Sequence, residues 1–511
     1  MDTMDNMDRV DMVKATAVFF SPKPHAASLE PEAAGFEPIA HSPKPEAIWS
    51  CLFLIIMAGC VAGPDGAVPP RAPTVHVDWE SPRQTMVGFG GTMGWIHPHP
   101  SQRKKIFDLL FTELGASVLR IQALGGEGGD EDCLEPANDN DDPDSLDWAG
   151  FPIKTTESKN AIIIKAARDR GVKTIIATPW SPPGWMKTTG TRAGGGSLKE
   201  ECIDEYAELW VAYIKGMRRE FGADVRHISL QNEPDLTYYY PTCRWEPDLL
   251  AKTAEAVRAR LSREGLDVQV LGPDTCRIYN MPDYVEAEEE AISRSGDLRP
   301  RRAEPILTHL YDLSIPYERV DRDASRWQDA RTFARNLGRP LWLMETANYL
   351  SYGIEPASWE EAMIWARKIH WALAEGDCEV VCWWSLFFDK KGEALIYCPE
   401  SESEQIEITP KFYTSMNWFR FVRPGMIRCE AKANEPGLLV TAFRGTANQR
   451  VVVIVNPTDA ACEIQVDAPA GGWTRYETSA SRNCRSLGRT AGPGITLSAS
   501  SVTTLIAGAG E

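Results

Sequence analysis

The chain has 511 residues, with 54 Lys and Arg against 72 Asp and Glu, and a formal net charge of −18. Nucleic-acid-binding proteins concentrate Lys and Arg on one face, so this acidic sequence without a basic cluster is not expected to bind nucleic acid. The length is sufficient for one large α/β barrel with an additional domain. The 17 Trp fit either a heavily packed core or a cleft that binds partly apolar rings.

The amino-terminal segment, residues 1–59, is predicted to be a disordered leader that ends in a signal peptide. Its apolar run, Ala47 to Gly59, has the length of a signal-peptide core and is short for a membrane span. Small residues precede Cys60, as in the lipobox of bacterial lipoproteins, so Cys60 is the expected lipidation site. Residues 60–73 then form a tether. The protein is expected to be exported, either as a surface or periplasm-facing lipoprotein whose only membrane contact is the lipid, or as a secreted protein.

The body of the chain alternates short apolar runs with amphipathic stretches, a pattern that predicts parallel strands joined by helices. Eight such strands match a (β/α)₈ barrel. The predicted strands are Val87 to Gly94, Ser117 to Ala123, Lys173 to Trp180, His227 to Glu233, Gln269 to Asp274, Ile306 to Tyr311, Leu341 to Ala347 and Glu379 to Leu386. Helical spacing predicts helices over Ser101 to Leu114, Ile203 to Phe221 and Trp359 to Glu375.

After Phe421 the pattern changes to strand-like runs separated by Gly, Pro and Asn, which predicts a small antiparallel β-domain. The runs are Leu438 to Phe443, Arg450 to Val455, Cys462 to Val466, Trp473 to Thr478 and Ser501 to Ile506. The predicted domains are therefore a barrel over residues 87–421 and a β-sandwich over residues 422–511.

Three sequence patterns could suggest a metal site or a dinucleotide site, but each has a better explanation. The acidic stretch Asp130 to Asp147 lacks the glycine of an EF-hand loop and is predicted to be a solvated rim loop, with calcium binding as the weaker alternative. The glycines of Gly88 to Gly94 do not have the spacing of a dinucleotide site. His97 and His99 lack accompanying ligands. No metal site and no cofactor are predicted.

Two predicted barrel strands end in glutamate, at Glu233 and Glu345. Active sites of such barrels lie at the carboxyl ends of the strands, and a buried carboxylate there is costly unless it faces a polar site. Two facing glutamates fit a double-displacement glycosidase, in which one attacks the sugar and the other protonates the leaving oxygen. Arg120 and Tyr311, at the ends of other strands, are candidate partners of the nucleophile.

Five tryptophans at or beyond strand ends are candidates for stacking on sugar rings, whereas Trp210, Trp365 and Trp371 lie on helical faces and are expected in the core. The candidates for the cleft are Trp95, Trp180, Trp185, Trp245 and Trp384.

Taken together, these motifs resemble glycoside hydrolase family 30. The resemblance rests on Asn232-Glu233-Pro234, Trp180 to Lys187, His309-Leu310-Tyr311, Glu345, Trp383-Trp384 and Val422 to Gly425, and extends from about Val75 to the end of the chain. It implies that Glu233 is the acid/base, Glu345 is the nucleophile and Asn232 binds the sugar 2-hydroxyl, with His309 in a site motif. It also implies that Trp180 and Trp384 line the reacting subsite, and that residues 74–86 contribute a strand to the side β-domain.

The substrate is expected to be a β-linked polysaccharide, with a xylan-type polymer as the first choice. The family's glucuronoxylanases carry an arginine and a tyrosine just after the second tryptophan of the eighth strand, where this chain has Phe387-Phe388-Asp389-Lys390. Because phenylalanine cannot bind a carboxylate, dependence on glucuronate branches is not expected. The alternatives are a β-1,6-glucanase or galactanase, an exo-β-glycosidase of the glucosylceramidase type, and a carbohydrate-binding surface lipoprotein without catalysis.

Overall fold

The computed structural model describes residues 74–125, 129–295, 304–311, 325–347, 354–469 and 471–508. The predicted leader, Cys60 and the predicted tether lie outside these residues. All described residues belong to one compact unit, Pro69–Glu511. None of the helices in the described ranges is long and apolar enough to cross a membrane.

A first strand, β1 (Thr74–Thr85), precedes a closed barrel of eight parallel strands. The ring closes because the last barrel strand pairs with both the first and the seventh. This confirms the predicted (β/α)₈ barrel. The barrel strands are β2 (Gly88–Met93), β3 (Val118–Gln122), β4 (Thr174–Thr178), β5 (His227–Ser229), β6 (Gln269–Thr275), β7 (Ile306–His309), β8 (Leu341–Glu345) and β9 (Val380–Phe388). Two short strands, β10 (Ala394–Tyr397) and β11 (Glu407–Ile408), extend the sheet beyond β9.

The helices surround the barrel and use their apolar faces for packing. The longest, Ile203–Phe221, buries Tyr206, Leu209, Trp210 and Tyr213 at helical spacing and ends at Gly222, whose φ of 61° suits a left-handed cap. The helices are α1 (Arg103–Phe107), α2 (Ile153–Thr156), α3 (Ser158–Asp169), α4 (Ile203–Phe221), α5 (Pro247–Arg263), α6 (Met281–Ser295), α7 (Ser325–Leu337), α8 (Trp359–Ala374) and α9 (Pro410–Phe419). The helix predicted from Ser101 is α1 followed by a π-helix, Asp108–Glu113.

The barrel interior is packed at its base and polar at its top. Alternate strand residues point inward, and their lower layers form one apolar cluster. Its members are Val118, Ile176, Leu271, Leu307, Trp342, Met344, Val380 and Cys382. Arg120 lies two residues beyond Val118 on β3, so its side chain also points inward, one layer nearer the carboxyl ends of the strands. This packing places the polar groups of the barrel at the end where its active sites are found.

The remaining strands form a curled nine-stranded sheet around a separate core. Its order is β17-β16-β19-β14-β13-β12-β1-β15-β18, so β1 pairs with strands from the far end of the chain. The strands are β12 (Ile427–Ala433), β13 (Leu439–Arg444), β14 (Arg450–Asn456), β15 (Cys462–Val466), β16 (Trp473–Ser479), β17 (Arg482–Thr490), β18 (Gly494–Leu497) and β19 (Ser501–Ala507). Its core includes Val75, Val440, Val452, Ile464, Trp473 and Leu505.

Helix α9 connects the barrel to this sheet through buried hydrogen bonds. Asn417 donates to Thr478 Oγ1 at 2.7 Å and accepts from Thr504 Oγ1 at 3.0 Å. Trp418 Nε1 donates to Thr441 Oγ1 at 3.1 Å. These hydrogen bonds join α9 to β16, β19 and β13 of the sheet. All ten cysteines in the described part of the chain are free thiols.

Candidate active site

The two glutamates meet at the carboxyl end of the barrel. Glu345 is the last residue of β8. Strand β5 ends at Ser229 and is shorter than predicted, so Glu233 lies in the loop that follows it. Both are buried, at 3% exposure for Glu233 and 5% for Glu345. One oxygen of each carboxylate and one ring nitrogen of His309 all lie within 4.8 Å of one another. The structure therefore brings together three of the residues that the sequence singled out.

The backbone at Glu233 has an unusual conformation. Its φ is 48°, in the left-handed region that a non-glycine residue seldom adopts, and Asp274 on the neighbouring strand has a φ of 60°. The amide of Glu233 donates to the carbonyl of Asp274 at 3.1 Å. Strain of this kind persists where the surroundings fix it, and it concentrates at functional sites.

Arg120 is the cation between the carboxylates. It is completely buried; Nη1 donates to Glu345 Oε2 at 2.6 Å, and Nη2 donates to Asn232 Oδ1 at 2.5 Å and to Asp274 Oδ2 at 2.9 Å. Burial alone would lower the pKa of Arg120, but the charges of Asp274 and Glu345 outweigh it and raise the pKa. The guanidinium thus stays charged and also lies 4.7 Å from the ring centre of Trp180.

His309 joins the acid/base candidate to a further carboxylate. Its Nδ1 lies 3.0 Å from Glu233 Oε1, and its Nε2 lies 3.0 Å from Asp274 Oδ1. Burial opposes a charge on the ring, but the carboxylates of Glu345 and Asp274 raise the pKa of His309 to about 10. A doubly protonated ring donates from both nitrogens, so it binds Glu233 and Asp274 at once.

Asp274 is a site residue that the sequence reasoning did not single out. It is fully buried and accepts hydrogen bonds from Arg120, His309 and, at 2.9 Å, Ser229 Oγ. Although burial raises the pKa of a carboxyl group, the charges of Arg120 and His309 lower that of Asp274 below its usual range. Its position at the end of a predicted strand was the available signal, since Glu233 and Glu345 were chosen on the same ground.

The electrostatics of Glu345 are finely balanced. Burial raises its pKa to about 7; the charges of His309 and Arg120 act against that rise, and the nearby carboxylate of Glu233 adds to it. Two carboxyl groups this close do not both ionise readily. The proximity of Glu233 therefore opposes ionisation of Glu345, while the hydrogen bond from Arg120 stabilises the charged form of Glu345.

Three tryptophans form an aromatic wall beside these groups. Trp180 and Trp384 are almost fully buried and Trp95 is half-buried, with ring centres 5.3 Å apart for Trp95 and Trp180 and 5.6 Å for Trp180 and Trp384. Trp384 Nε1 donates to Glu393 Oε2 at 2.8 Å. In contrast, Asn232 Nδ2 and Trp95 Nε1 are buried donors without a partner in the described ranges, so they can bind a hydroxyl-bearing ligand.

The other predicted aromatic residues divide between the core and the rim. The prediction that Trp245 lines the cleft is wrong, because its side chain is fully buried against Tyr206 of α4 and its Nε1 lies 3.1 Å from Cys243 Sγ. Trp185 is half-buried and donates to the carbonyl of Glu135 at 3.1 Å. Tyr311 is buried with its ring centre 6.0 Å from that of His309.

An exposed aromatic cluster extends from this wall to the surface. Tyr240 has its ring centre 6.1 Å from that of Trp95, and it contacts Tyr238 and Tyr239. Tyr239 is 67% exposed and Tyr238 is 40% exposed. Large exposed aromatic rings beside a pocket are typical of binding surfaces. The sequence signal was three consecutive tyrosines after the fourth strand.

The chain is similar to one protein-family model and to several known proteins. A model described as the glycosyl hydrolase family 30 TIM-barrel domain matches residues 137–243. The chain is 25% identical over 454 residues to the glucuronoxylanase XynC of Bacillus subtilis, covering 85% of this chain and 91% of that protein. It is 27% identical over 253 residues to an endo-1,6-β-D-glucanase of Neurospora crassa, covering 46% of this chain and 50% of that protein.

The fold is also shared with solved structures. The catalytic domain of the GH30 xylanase C from Talaromyces cellulolyticus matches with a TM-score of 0.68 at 19% identity, covering 85% of this chain and 99% of that one. At this identity the likeness concerns the fold, which comprises the barrel and the accompanying sheet.

Proposed function

Because the chain belongs to glycoside hydrolase family 30, we propose that it hydrolyses a β-linked polysaccharide by double displacement, with Glu345 as nucleophile and Glu233 as acid/base. The observation that carries this proposal is the short separation of the two carboxylates, whose oxygens lie within 4.8 Å of one another. Retaining enzymes place their carboxyl groups about 5–5.5 Å apart, whereas inverting enzymes leave about 6.5–9.5 Å for a water molecule. The spacing therefore favours retention.

In the first step, a carboxylate oxygen of Glu345 attacks the anomeric carbon while Glu233 transfers its proton to the leaving oxygen. The bond from Arg120 to Glu345 at 2.6 Å stabilises the carboxylate form of the nucleophile. The products are a glycosyl ester on Glu345 and a free alcohol end of the polymer. In the second step, Glu233 removes a proton from water, and the water oxygen displaces Glu345.

His309 and Asp274 support Glu233 in both of its protonation states. The charged His309 ring donates to Glu233 at 3.0 Å, which stabilises the carboxylate that forms when Glu233 gives up its proton. Asp274 holds the other ring nitrogen at 3.0 Å and thereby fixes the orientation of the imidazole. These two residues are positioning groups, because they act through Glu233 and Arg120.

The aromatic wall and the free donors fit a sugar ring. Trp95, Trp180 and Trp384 offer apolar faces of the kind that pack against the C–H surface of a pyranose. Asn232 is fixed by Arg120 through its Oδ1, which leaves the partnerless Nδ2 free for a sugar hydroxyl. Such an arrangement binds one sugar unit tightly next to the two carboxylates.

A xylan-type polymer is the proposed substrate. The exposed rings of Tyr238 and Tyr239 continue the aromatic surface outward from Trp95, which favours a chain of sugars over a single terminal unit. Phe387 and Phe388 are buried and carry no donor for a carboxylate, so cleavage is expected not to require glucuronate branches, even though a relative is a glucuronoxylanase. A β-1,6-glucan is the second candidate, because an endo-1,6-β-D-glucanase is also among the relatives.

The substrate proposal is tested by mass analysis of products from glucuronoxylan, arabinoxylan, β-1,6-glucan, β-1,6-galactan and aryl β-glycosides. We expect a series of xylo-oligosaccharides from both xylans. Release of monosaccharide alone from aryl glycosides would favour an exo-β-glycosidase of the glucosylceramidase type, and products from β-1,6-glucan alone would favour the second candidate. Binding without any product would indicate a carbohydrate-binding protein and contradict the enzymatic proposal.

The mechanism is tested separately on whichever substrate is cleaved. NMR of the anomeric proton should show that the first product has the β configuration and that the α form appears only by later mutarotation. An initial α product would overturn the proposed double displacement.

The variant Glu233→Gln should retain more activity on aryl glycosides with acidic leaving groups than on polysaccharide, because such groups depart without protonation.

A further inference from the structure

A second group of buried carboxylates lies outside the active site, where the loop after β3 meets the start of α4. One oxygen each of Asp139, Glu205 and Glu208 lies within 4.8 Å of the other two. Glu205 and Glu208 are three residues apart on α4 and therefore share one face of the helix. We call Asp139, Glu205 and Glu208 the rim carboxylate cluster, and Glu135 lies beside it.

Glu208 is the clearest anomaly in the rim carboxylate cluster. It is completely buried, and neither of its oxygens accepts a hydrogen bond from an N–H or hydroxyl group in the described ranges. A buried carboxylate without a donor is costly, since it loses the water that would otherwise solvate it. A structure that maintains such a group requires either a proton or a cation there.

Glu135 supplies an independent second observation, because it comes from a different part of the chain. Its side chain is 1% exposed, and its Oε2 has no hydrogen-bond partner among the described residues. Its Oε1 accepts from the amide of Asp139 at 3.3 Å, so this buried carboxyl group lies directly beside the cluster.

The loop is organised so that Asp139 presents one free oxygen. Its Oδ2 accepts from Asn140 Nδ2 at 2.9 Å and from the amide of Asp147 at 2.6 Å. Its Oδ1 is buried and has no partner within the described ranges. The amide of Asp139 in turn donates to Glu135 Oε1 at 3.3 Å. The loop therefore fixes both of its carboxylates while leaving one oxygen of each available.

Among the described residues, no side-chain cation bonds either oxygen of Glu208. The charge of Arg260 lowers the pKa of Glu208, but its guanidinium is bound to Asp144 at 2.8 Å and to Glu264 at 3.0 Å. The amino-terminal end of α4 adds only a partial positive charge. Burial and the carboxylates of Asp139 and Glu205 accordingly raise the pKa of Glu208 to about 8.

We propose that the rim carboxylate cluster binds a divalent, oxygen-preferring cation, of which calcium fits best. Oxygens that all lie within 4.8 Å of one another can share one ion. Calcium takes several carboxylate oxygens in a flexible geometry, whereas magnesium demands a near-ideal octahedron and usually keeps several waters. The proposal departs from the expectation that the protein has no metal site.

The cation would join the rim loop to the barrel helix. Asp139 belongs to the loop, while Glu205 and Glu208 belong to α4, so shared ligation would hold the loop against the helix. The same loop accepts the hydrogen bond from Trp185 Nε1 through the carbonyl of Glu135. The site therefore supports the segment that positions Trp185 at the rim.

The experiment is calorimetric titration of the metal-free full-length protein with calcium at pH 8, together with thermal unfolding with and without the ion. We expect one ion per chain and a rise in Tm of about 3–5 °C when calcium exceeds its Kd about a hundredfold. Glu208→Gln and Asp139→Asn should each lose the heat of binding and the Tm rise. Asp204→Asn, which removes an exposed charge one residue from Glu205, should retain both.

Glu205 and Glu208 are also close enough to share a proton, and this alternative gives a different result. A proton-sharing cluster would show no heat with calcium, magnesium or manganese at millimolar concentration, which would overturn the proposal even if a variant failed to fold. Binding that persists unchanged in Glu208→Gln and Asp139→Asn would place the ion elsewhere and would overturn it as well.

Discussion

The catalytic carboxylates and the rim carboxylate cluster are both acidic groups removed from water, but their charges are balanced in different ways. In the barrel, Glu233, Glu345 and Asp274 are buried together with Arg120 and His309, which bind them at 2.6–3.0 Å. At the rim, the carboxylates lie close to one another, and the guanidinium of Arg260 is bound to Asp144 and Glu264. A buried carboxylate needs a counter-ion to balance its charge. Where the described residues supply none, a bound cation from solution is the natural candidate for that role.

The largest expected effect comes from removing the nucleophile. Glu345→Gln keeps the shape of the side chain but cannot form the ester, so kcat should fall at least about 10³-fold. The measurement is steady-state hydrolysis of the best substrate found, with far-UV circular dichroism to confirm folding. Glu379→Gln, near the opposite end of the barrel where the side chain lies 3.3 Å from Trp342 Nε1, is the matched control and should remain active. Similar losses in both variants would show that Glu345 has no special role.

The next effect concerns the counter-ion in the barrel. Arg120→Met leaves Glu345 and Asp274 without their guanidinium, so the free energy of unfolding should fall by about 3–5 kcal/mol. The same change should lower kcat, because the charged form of Glu345 loses its main hydrogen bond. Arg120→Lys retains the charge and should recover part of the stability. Denaturant unfolding measures the free energies, and an Arg120→Met variant as stable as the parent protein would contradict this account of the barrel site.

A smaller effect is expected for the positioning carboxylate. Asp274→Asn removes a charge that raises the pKa of His309, so the imidazole should titrate below its expected value of about 10. NMR titration of the ring measures this shift directly, and kcat should fall by about 10²-fold if the ring orients Glu233. Ser229→Ala, which removes only a hydroxyl bond to Asp274, is the control and should leave the pKa of His309 nearly unchanged. If the pKa of His309 is unchanged in Asp274→Asn, Asp274 does not influence the catalytic groups as proposed.

Much of the barrel and of its site follows from local sequence. Apolar runs alternating with helical patterns predict the eight strands, and strand ends select Glu233, Glu345 and Arg120, because the barrel gathers those ends at one face. The β-sheet domain is predicted less completely. Strand β17 was missed because its residues are mostly exposed and polar, and its place depends on pairing with β16.

The parts that escaped prediction depend on contacts between distant residues. Asp274 acquires its role from Arg120, 154 residues away, and this pairing leaves no trace in the sequence around either residue. Trp245 was placed at the cleft because it follows a strand, but packing against Tyr206 determines its burial. The rim carboxylate cluster combines one loop residue with two residues of α4, whereas the sequence showed only an acidic run without the spacing of a calcium loop.

The smallest predicted effect is a change in Tm with pH, which distinguishes the rim carboxylate cluster from the catalytic carboxylates. Glu135 and Glu208 have pKa values of about 9 and about 8 in the folded protein, raised first by burial above the usual range of a glutamate. A carboxyl group with a raised folded pKa contributes stability that is complete below its unfolded pKa and is lost as pH rises through the folded value. Without calcium, Tm should therefore fall between pH 7 and about 9.5. Glu208→Gln cannot ionise at this position, so its Tm should fall less over the same range.

Calcium sharpens this comparison because it replaces the protons of the rim carboxylate cluster. Saturating calcium should flatten the fall in Tm of the parent protein, while it should leave the profile of Glu208→Gln unchanged. The barrel site contributes a fall of its own, because His309 loses its proton as pH rises through its folded pKa of about 10, but this fall is independent of calcium and is common to both proteins. A fall in Tm that is equal in both proteins and insensitive to calcium would assign it to groups other than the rim carboxylate cluster.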